Sequence, residues 1–185
     1  MVTKPLSAEI YTTSHRILGR INTGSMGLFS FLNIPTTSSV EIEGASLSRL
    51  HQPGRLAGRY PSLWLVKDQI VAVLLSSRVE LGPSTVLRGG YTTSVQHSVH
   101  IALGGYELRG VLETSGKFNF GSVIFEGDRI FVPIYQAELI AILFPNVRAE
   151  SPAVLFNREM VDTIGLLPRE EPSQPVPSAA PPTAG

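Results

Sequence analysis

The sequence contains no cysteine, so disulfides, thiolate nucleophiles and metal sites built on cysteine are excluded. An excess of charge of either sign is also absent, because 15 Lys and Arg balance 15 Asp and Glu. We therefore expect no general attraction to nucleic acid or anionic lipid. Charged residues make up only 16% of the chain, against about 25% in typical domains, which leaves apolar surface for an oligomer or a protein partner.

Long apolar runs and motifs of catalysis are missing as well. No stretch approaches 18 uncharged apolar residues, and the first ten residues lack the hydrophobic core of a signal peptide. We expect a cytoplasmic protein without membrane association. Neither a Gly-x-Ser-x-Gly elbow nor a Gly-x-x-x-x-Gly-Lys loop occurs. The sequence predicts no enzyme activity, no catalytic residues and no cofactor.

The pairs of acidic and histidine residues have ordinary interpretations. Glu41 and Glu43 lie two apart in an alternating strand, so they share its outer face and keep it hydrated. His97 and His100 lie three apart in a stretch that is typical of a strand, which directs them to opposite faces. The sequence therefore predicts no metal site.

Two stretches of the chain match two later ones, which indicates an internal duplication. Ile10–Ile21 aligns with Ile101–Leu112, and Gly19 falls on Gly110. Val66–Leu75 aligns with Tyr135–Phe144. The first match has an offset of 91 positions (19 to 110) and the second of 69 (66 to 135), so the first copy is predicted to carry about 22 extra residues.

The succession of elements in each copy resembles the small SH3-type barrels, and in particular the Sm-like family. In that family a bent second strand carries a central glycine, matched here by Gly19 and Gly110. Its late Tyr-Lys-His-Ala-Ile motif corresponds to 66–70 and 135–139, where the basic pair is kept only as Lys67. Its base-binding loop has counterparts in Phe31-Leu32-Asn33 and Phe118-Asn119. The resemblance implies small barrels that assemble through edge strands.

The sequence thus predicts an all-β fold of two tandem small SH3/Sm-like β-barrels. The first unit covers 7–78 with a basic insertion, 79–90 is a linker, and the second unit covers 91–167. A short helix capped by Asn157 and stopped by Gly165 is expected at the end of the second unit. Residues 168–185 are rich in proline and are expected to be disordered.

The insertion, Gly44–Lys67, is the segment with the clearest chemical character. It has no Asp or Glu, and its basic groups are interleaved with aromatic rings, as nucleic-acid backbones and unstacked bases require. In the other interpretation, the arginines pair with acidic residues elsewhere and Trp64 belongs to the core. The candidate contacts are Arg49, Arg55, Arg59, Tyr60, Trp64 and Lys67.

A compact apolar run follows Gly27 and contains Leu28, Phe29, Phe31 and Leu32. It closes the end of a barrel or forms a contact surface between copies. The leading hypothesis for function is a non-enzymatic assembly or protein-interaction module that self-associates through exposed β-edges. The alternative is a protein that binds single-stranded nucleic acid through the basic and aromatic segment.

Overall fold

The computed structural model describes residues 5–83, 94–114, 116–126 and 129–168. These residues confirm the prediction of an all-β fold, because ten strands and only two short helices account for the architecture. The strands are β1 Leu6–Tyr11, β2 His15–Ile21, β3 Ser39–Arg49, β4 Leu56–Val66, β5 Ala72–Leu75, β6 Val95–Leu103, β7 Tyr106–Thr114, β8 Phe131–Ala141, β9 Arg148–Asn157 and β10 Val161–Leu166. The helices are α1 Leu28–Leu32 and α2 Phe120–Ile124.

All ten strands belong to one antiparallel sheet with the order β10-β6-β7-β8-β9-β5-β1-β2-β3-β4. Two separate closed barrels are therefore not confirmed, since the strands of both halves form one continuous sheet. Strands β4 and β10 are the ends of this order and do not pair with each other. Among the described residues the sheet is open, and each half of the chain contributes one free edge.

The two halves repeat the same succession of elements without an insertion. Each has two paired strands, a short helix, a long hairpin, a single 3₁₀ turn and a final short strand that pairs with the first. Matched positions lie 91 or 92 apart throughout, as Pro152 follows Pro61 and Arg158 follows Lys67. The alignment of Val66–Leu75 with Tyr135–Phe144 is wrong, because apolar alternation alone does not distinguish one buried strand from another.

The segment 44–67 is consequently part of the repeat. It consists of the end of β3, a turn and β4, and the second half has strands of nearly equal length in β8 and β9. The predicted basic insertion in the first unit is corrected by this correspondence.

The second strand of each half contains a glycine that allows the neighbouring strand to approach closely. A Cβ on Gly19 would lie 2.4 Å from Cγ2 of Ile42, and one on Gly110 would lie 2.8 Å from the carbonyl oxygen of Tyr135. The register shifts at both places, between β2 and β3 and between β7 and β8. Register shifts of this kind mark a β-bulge or an irregularity, and the missing side chain of each glycine leaves room for the neighbouring strand.

The short C-terminal helix is not confirmed. Asn157 does act as a cap, since its side chain accepts a hydrogen bond from the N–H of Glu159 at 3.0 Å. The turn that follows is limited to Arg158–Met160, and the chain then continues as β10. Pairing with β6 satisfies the backbone groups that a helix would otherwise satisfy internally.

The predicted linker and tail lie mostly outside the described residues, which omit 84–93 and 169–185. The first part of the predicted linker is ordered, because Arg78–Leu81 forms a 3₁₀ turn that buries Leu81. Ser77 and Glu80 form a capping box at the start of this turn.

Two hydrophobic cores lie on opposite faces of the central strands. In β5, Val73 and Leu75 pack in the first core, and Ala72 and Leu74 pack in the second. In β9, the alternate residues divide between the two cores in the same way. Both faces of the sheet are buried where the two halves meet, so the halves are packed together rather than loosely tethered.

Candidate functional site

The junction between the two halves is a strand pair, β5 with β9. Ala72 lies opposite Phe156, and the pairing continues to Leu75 opposite Ala153. Every β5 side chain, and every β9 side chain opposite it, is buried. The N–H of Asn157 extends the pairing by donating to the carbonyl oxygen of Val71 at 2.9 Å.

Polar side chains complete the junction where the strand pairing ends. The hydroxyl of Ser151 lies 2.6 Å from the carbonyl oxygen of Leu75 and accepts a hydrogen bond from the N–H of the same residue at 3.2 Å. At the other side, the amide of Asn33 accepts from the N–H of Phe131 at 2.9 Å and donates to its carbonyl oxygen at 3.0 Å. Buried backbone groups at both ends of the joint are thus satisfied.

A third contact connects the hairpin turns of the two halves. The hydroxyl of Tyr106 donates to the carbonyl oxygen of Thr12 at 2.6 Å, and its ring meets that of Tyr11 edge to face at 5.8 Å. Burial raises the pKa of both tyrosines well above the ordinary value, so both hydroxyls remain protonated donors.

Helix α1 belongs to this junction rather than to a free surface. Leu28, Phe29 and Leu32 are buried in the first core, and Phe31 is partly buried against it. Within a single chain these side chains therefore close the end of the first core. Of the two alternatives, this burial favours closure of the core end and contradicts a contact surface between copies, because Leu28, Phe29 and Leu32 have almost no exposed area.

The two free edges are the counterparts of the two strands in this junction. By the repeat, β4 corresponds to β9 and β10 corresponds to β5. Trp64 occupies the position of the buried Leu155 but is 66% exposed. Leu166 occupies the position of the buried Leu75 but is 55% exposed. Apolar side chains that are covered inside the junction are thus uncovered at the edges.

Both edges also present unpaired backbone groups. The N–H of Lys67 donates to Ser38, so by the alternation of an antiparallel strand the N–H of Val66 points away from β3. The N–H of Leu167 donates to Ser98, so the N–H of Leu166 points away from β6. Such groups are a template for pairing with another strand.

Helix α2 and β10 pack against the same second core, through Val123 and Ile164, and α2 differs from α1 in its burial. None of its residues is buried, and its neighbour Phe125 is 73% exposed. The rings of Phe120 and Phe125 pack edge to face at 5.7 Å, which makes a small aromatic surface. Phe125 stands at the repeat position of Asn33, the residue that clamps the internal junction.

The basic and aromatic residues of 44–67 do not form one cluster. Arg49, Arg55 and Arg59 are exposed, and no carboxylate among the described residues forms a salt bridge with them. Tyr60 and Trp64 share one face of β4, whereas Arg59 points to the other face. The structure therefore places the aromatic rings and Arg59 on opposite faces of β4.

Lys67 is placed in the interior, although it was a candidate contact for nucleic acid. It is 3% exposed, and its Nζ lies 2.6 Å from Oγ1 of Thr37 and 3.1 Å from the carbonyl oxygen of Ile34. Loss of hydration lowers the pKa of this ammonium group. Its repeat counterpart Arg158 donates to the carbonyl oxygen of Glu126 at 2.5 Å. Each half thus uses one basic residue to hold the loop that follows its helix, which the shifted alignment concealed.

Replacing Lys67 by methionine is expected to lower the free energy of unfolding by about 1–3 kcal/mol, because the loop oxygens lose their donor. Denaturant unfolding followed by circular dichroism measures this loss. An equal substitution at the exposed Arg55 serves as the control and should change stability by less than about 0.5 kcal/mol. Equal effects at both positions would contradict the structural role of Lys67.

His97 and Glu41 are held in local contacts. His97 lies 3.0 Å from the hydroxyl of Thr114, and Ser62 donates to Glu41 at 2.5 Å. Within the described residues no group of three His, Asp or Glu side chains is placed to hold a metal ion. In the same part of the chain, no helix has the length and apolar character needed to cross a membrane.

Comparisons of the chain with family models, with curated proteins and with solved structures found no match.

Proposed function

We propose that this protein is a non-enzymatic assembly module that self-associates through the exposed edges β4 and β10. The observation that carries the proposal is the pair of free edges, each with unpaired backbone groups and apolar side chains. Trp64 and Val66 are exposed on β4, and Leu166 is exposed on β10.

Within the described residues, the pairing stretches of both edges have little of what protects a free strand in monomeric proteins. Such strands are commonly blocked by inward-pointing charges, by proline or by a covering loop. On β4 the pairing stretch 62–66 carries no charge, and Pro61 lies at a position whose nitrogen faces β3. On β10, the stretch 161–166 that would face a partner strand carries a single charge, Asp162. Strand addition at either edge would therefore cover apolar surface without burying several charges.

Trp64 is the one tryptophan in the sequence, so its fluorescence reports on the β4 edge alone. Light scattering across a series of micromolar concentrations is expected to give masses that are multiples of 20.0 kDa. Over the same series the emission of Trp64 should move to shorter wavelengths as its ring leaves water. A constant monomeric mass with unchanged emission would contradict the proposal.

We also propose that each half is a small SH3-type unit that resembles the Sm-like family. Support comes from the succession of elements, which is the same in both halves, and from the register shift at Gly19 and Gly110. At their joint, β5 of the first unit pairs with β9 of the second. This pairing would give a continuous sheet in place of two separate barrels.

Fewer observations support binding of single-stranded nucleic acid than support self-association. The exposed arginines without described salt bridges favour it, but Lys67 is buried and Arg59 faces away from Tyr60 and Trp64. In the concentration series, association that occurs only with added single-stranded RNA and weakens steeply with salt would favour this alternative.

A further inference from the structure

The joint inside the chain supplies a template for the joint between chains. We infer that copies join head to tail, with β4 of one copy paired to β10 of the next in the register of β9 on β5. This inference rests on the proposed self-association and adds the partner surface and its geometry.

The register follows from the repeat. Ala72 lies opposite Phe156 inside the chain, and their counterparts are Thr163 and Leu65. Continuing along the strands, the internal pair Leu75 and Ala153 corresponds to Leu166 and Ser62. The backbone groups fit this register, because the N–H of Val66 and that of Leu166 both face outward, like those of Asn157 and Leu75 at the internal joint.

Side chains at the inter-chain joint are more aromatic than those at the internal one. Inside the chain, Leu155 packs in the core beneath α1. At the edge its counterpart Trp64 would pack beside Ile164 and α2 of the next copy, where the surface formed by Phe120 and Phe125 is uncovered. A large, rigid aromatic side chain of this exposure is the kind of anchor that dominates interfaces.

Two polar positions of the internal joint are occupied by aromatic residues at the inter-chain joint. Tyr60 stands at the position of Ser151, and Phe125 stands at the position of Asn33. The internal joint, formed once during folding, uses hydrogen-bonded polar side chains. The inter-chain joint replaces them with rings that contribute contact area on association.

A joint of this kind is heterologous, because the β4 surface and the β10 surface differ. After each addition, the assembly still has one free β4 edge and one free β10 edge. The assembly therefore continues into a closed ring or a filament, and a dimer with two-fold symmetry is excluded by this geometry.

The absence of native cysteine makes a covalent test direct. Two variants, Ser62→Cys and Leu166→Cys, place single thiols at exposed positions that would lie opposite each other across the joint. Opposite residues of an antiparallel pair have Cα atoms about 4.5–5.5 Å apart, which a disulfide spans. Mild oxidation of the equimolar mixture is expected to give a covalent dimer of twice 20.0 kDa. Each variant alone should give none.

The register has its own control. Asp162→Cys places a thiol on β10 four residues from Leu166, so it should fail to cross-link with Ser62→Cys. Equal cross-linking by the two β10 variants would overturn the register. A covalent dimer of Ser62→Cys alone would indicate a two-fold β4–β4 joint, which overturns the head-to-tail geometry and leaves self-association standing. A strictly monomeric mass by light scattering would overturn both.

Discussion

A Val66→Pro variant is expected to lose self-association while keeping its fold. The N–H of Val66 faces the free edge, so proline removes no hydrogen bond of the single chain. Its φ of −70° already suits the proline ring, and the preceding residue is extended. At the joint, however, the ring would occupy the space of the incoming strand and delete the bond that corresponds to Asn157 N–H with Val71, at 2.9 Å inside the chain.

We expect association to weaken at least 30-fold, which equals about 2 kcal/mol. Light scattering and Trp64 emission measure the association, and denaturant unfolding measures the fold. Val66→Ala is the matched control, because it shortens the same side chain but keeps the edge N–H. If Val66→Pro assembled like the unaltered protein with unchanged stability, β4 would not be the surface of association.

A Gly27→Ala variant is expected to lose about 3–5 kcal/mol of its free energy of unfolding, enough to unfold a marginally stable domain. Gly27 has a φ of 77° and a ψ of 162°, a region that is almost restricted to glycine and costs other residues about 1–3 kcal/mol. An added Cβ would also lie 2.4 Å from Cα of Gly82 and 2.6 Å from the carbonyl oxygen of Leu81. These are backbone atoms, so they cannot move aside as a flexible side chain can.

Gly24→Ala separates the two contributions to that loss. Gly24 has a φ of 60° and no atom within 4 Å of an added Cβ, so only the conformational cost of about 1–2 kcal/mol applies. The comparison of urea unfolding midpoints for the two variants isolates the contact between the segments that carry α1 and the Arg78–Leu81 turn. Losses of equal size would show that the close approach at Gly27 is not needed for stability.

Local features of the fold could be read from the sequence where a single residue type meets a local requirement. Two consecutive glycines are typical of a tight hairpin turn, and Gly104 and Gly105 both have positive φ between β6 and β7. Gly19 and Gly110 align in the two copies, and a Cβ at either would collide with the neighbouring strand. These signals are reliable because they depend on the steric properties of one residue.

The alignment of the later strands failed for the opposite reason. Val66–Leu75 and Tyr135–Phe144 share an apolar alternation that any half-buried strand shows. The informative markers were single residues. Pro61 corresponds to Pro152, and the basic residue Lys67 corresponds to Arg158. With those pairs the repeat keeps a constant offset, and the presumed insertion becomes strand β4.

Composition and strand periodicity are properties of the chain, so the class of the fold, the duplication and the absence of cysteine chemistry could be predicted without coordinates. The burial of each side chain could not. That Lys67 is a buried donor, that Leu28, Phe29 and Leu32 belong to the core and that Trp64 is exposed on an edge follow from the three-dimensional packing. Burial depends on which strands become neighbours, and the pairing of β5 with β9 joins residues that are about 80 positions apart, beyond the reach of any local pattern.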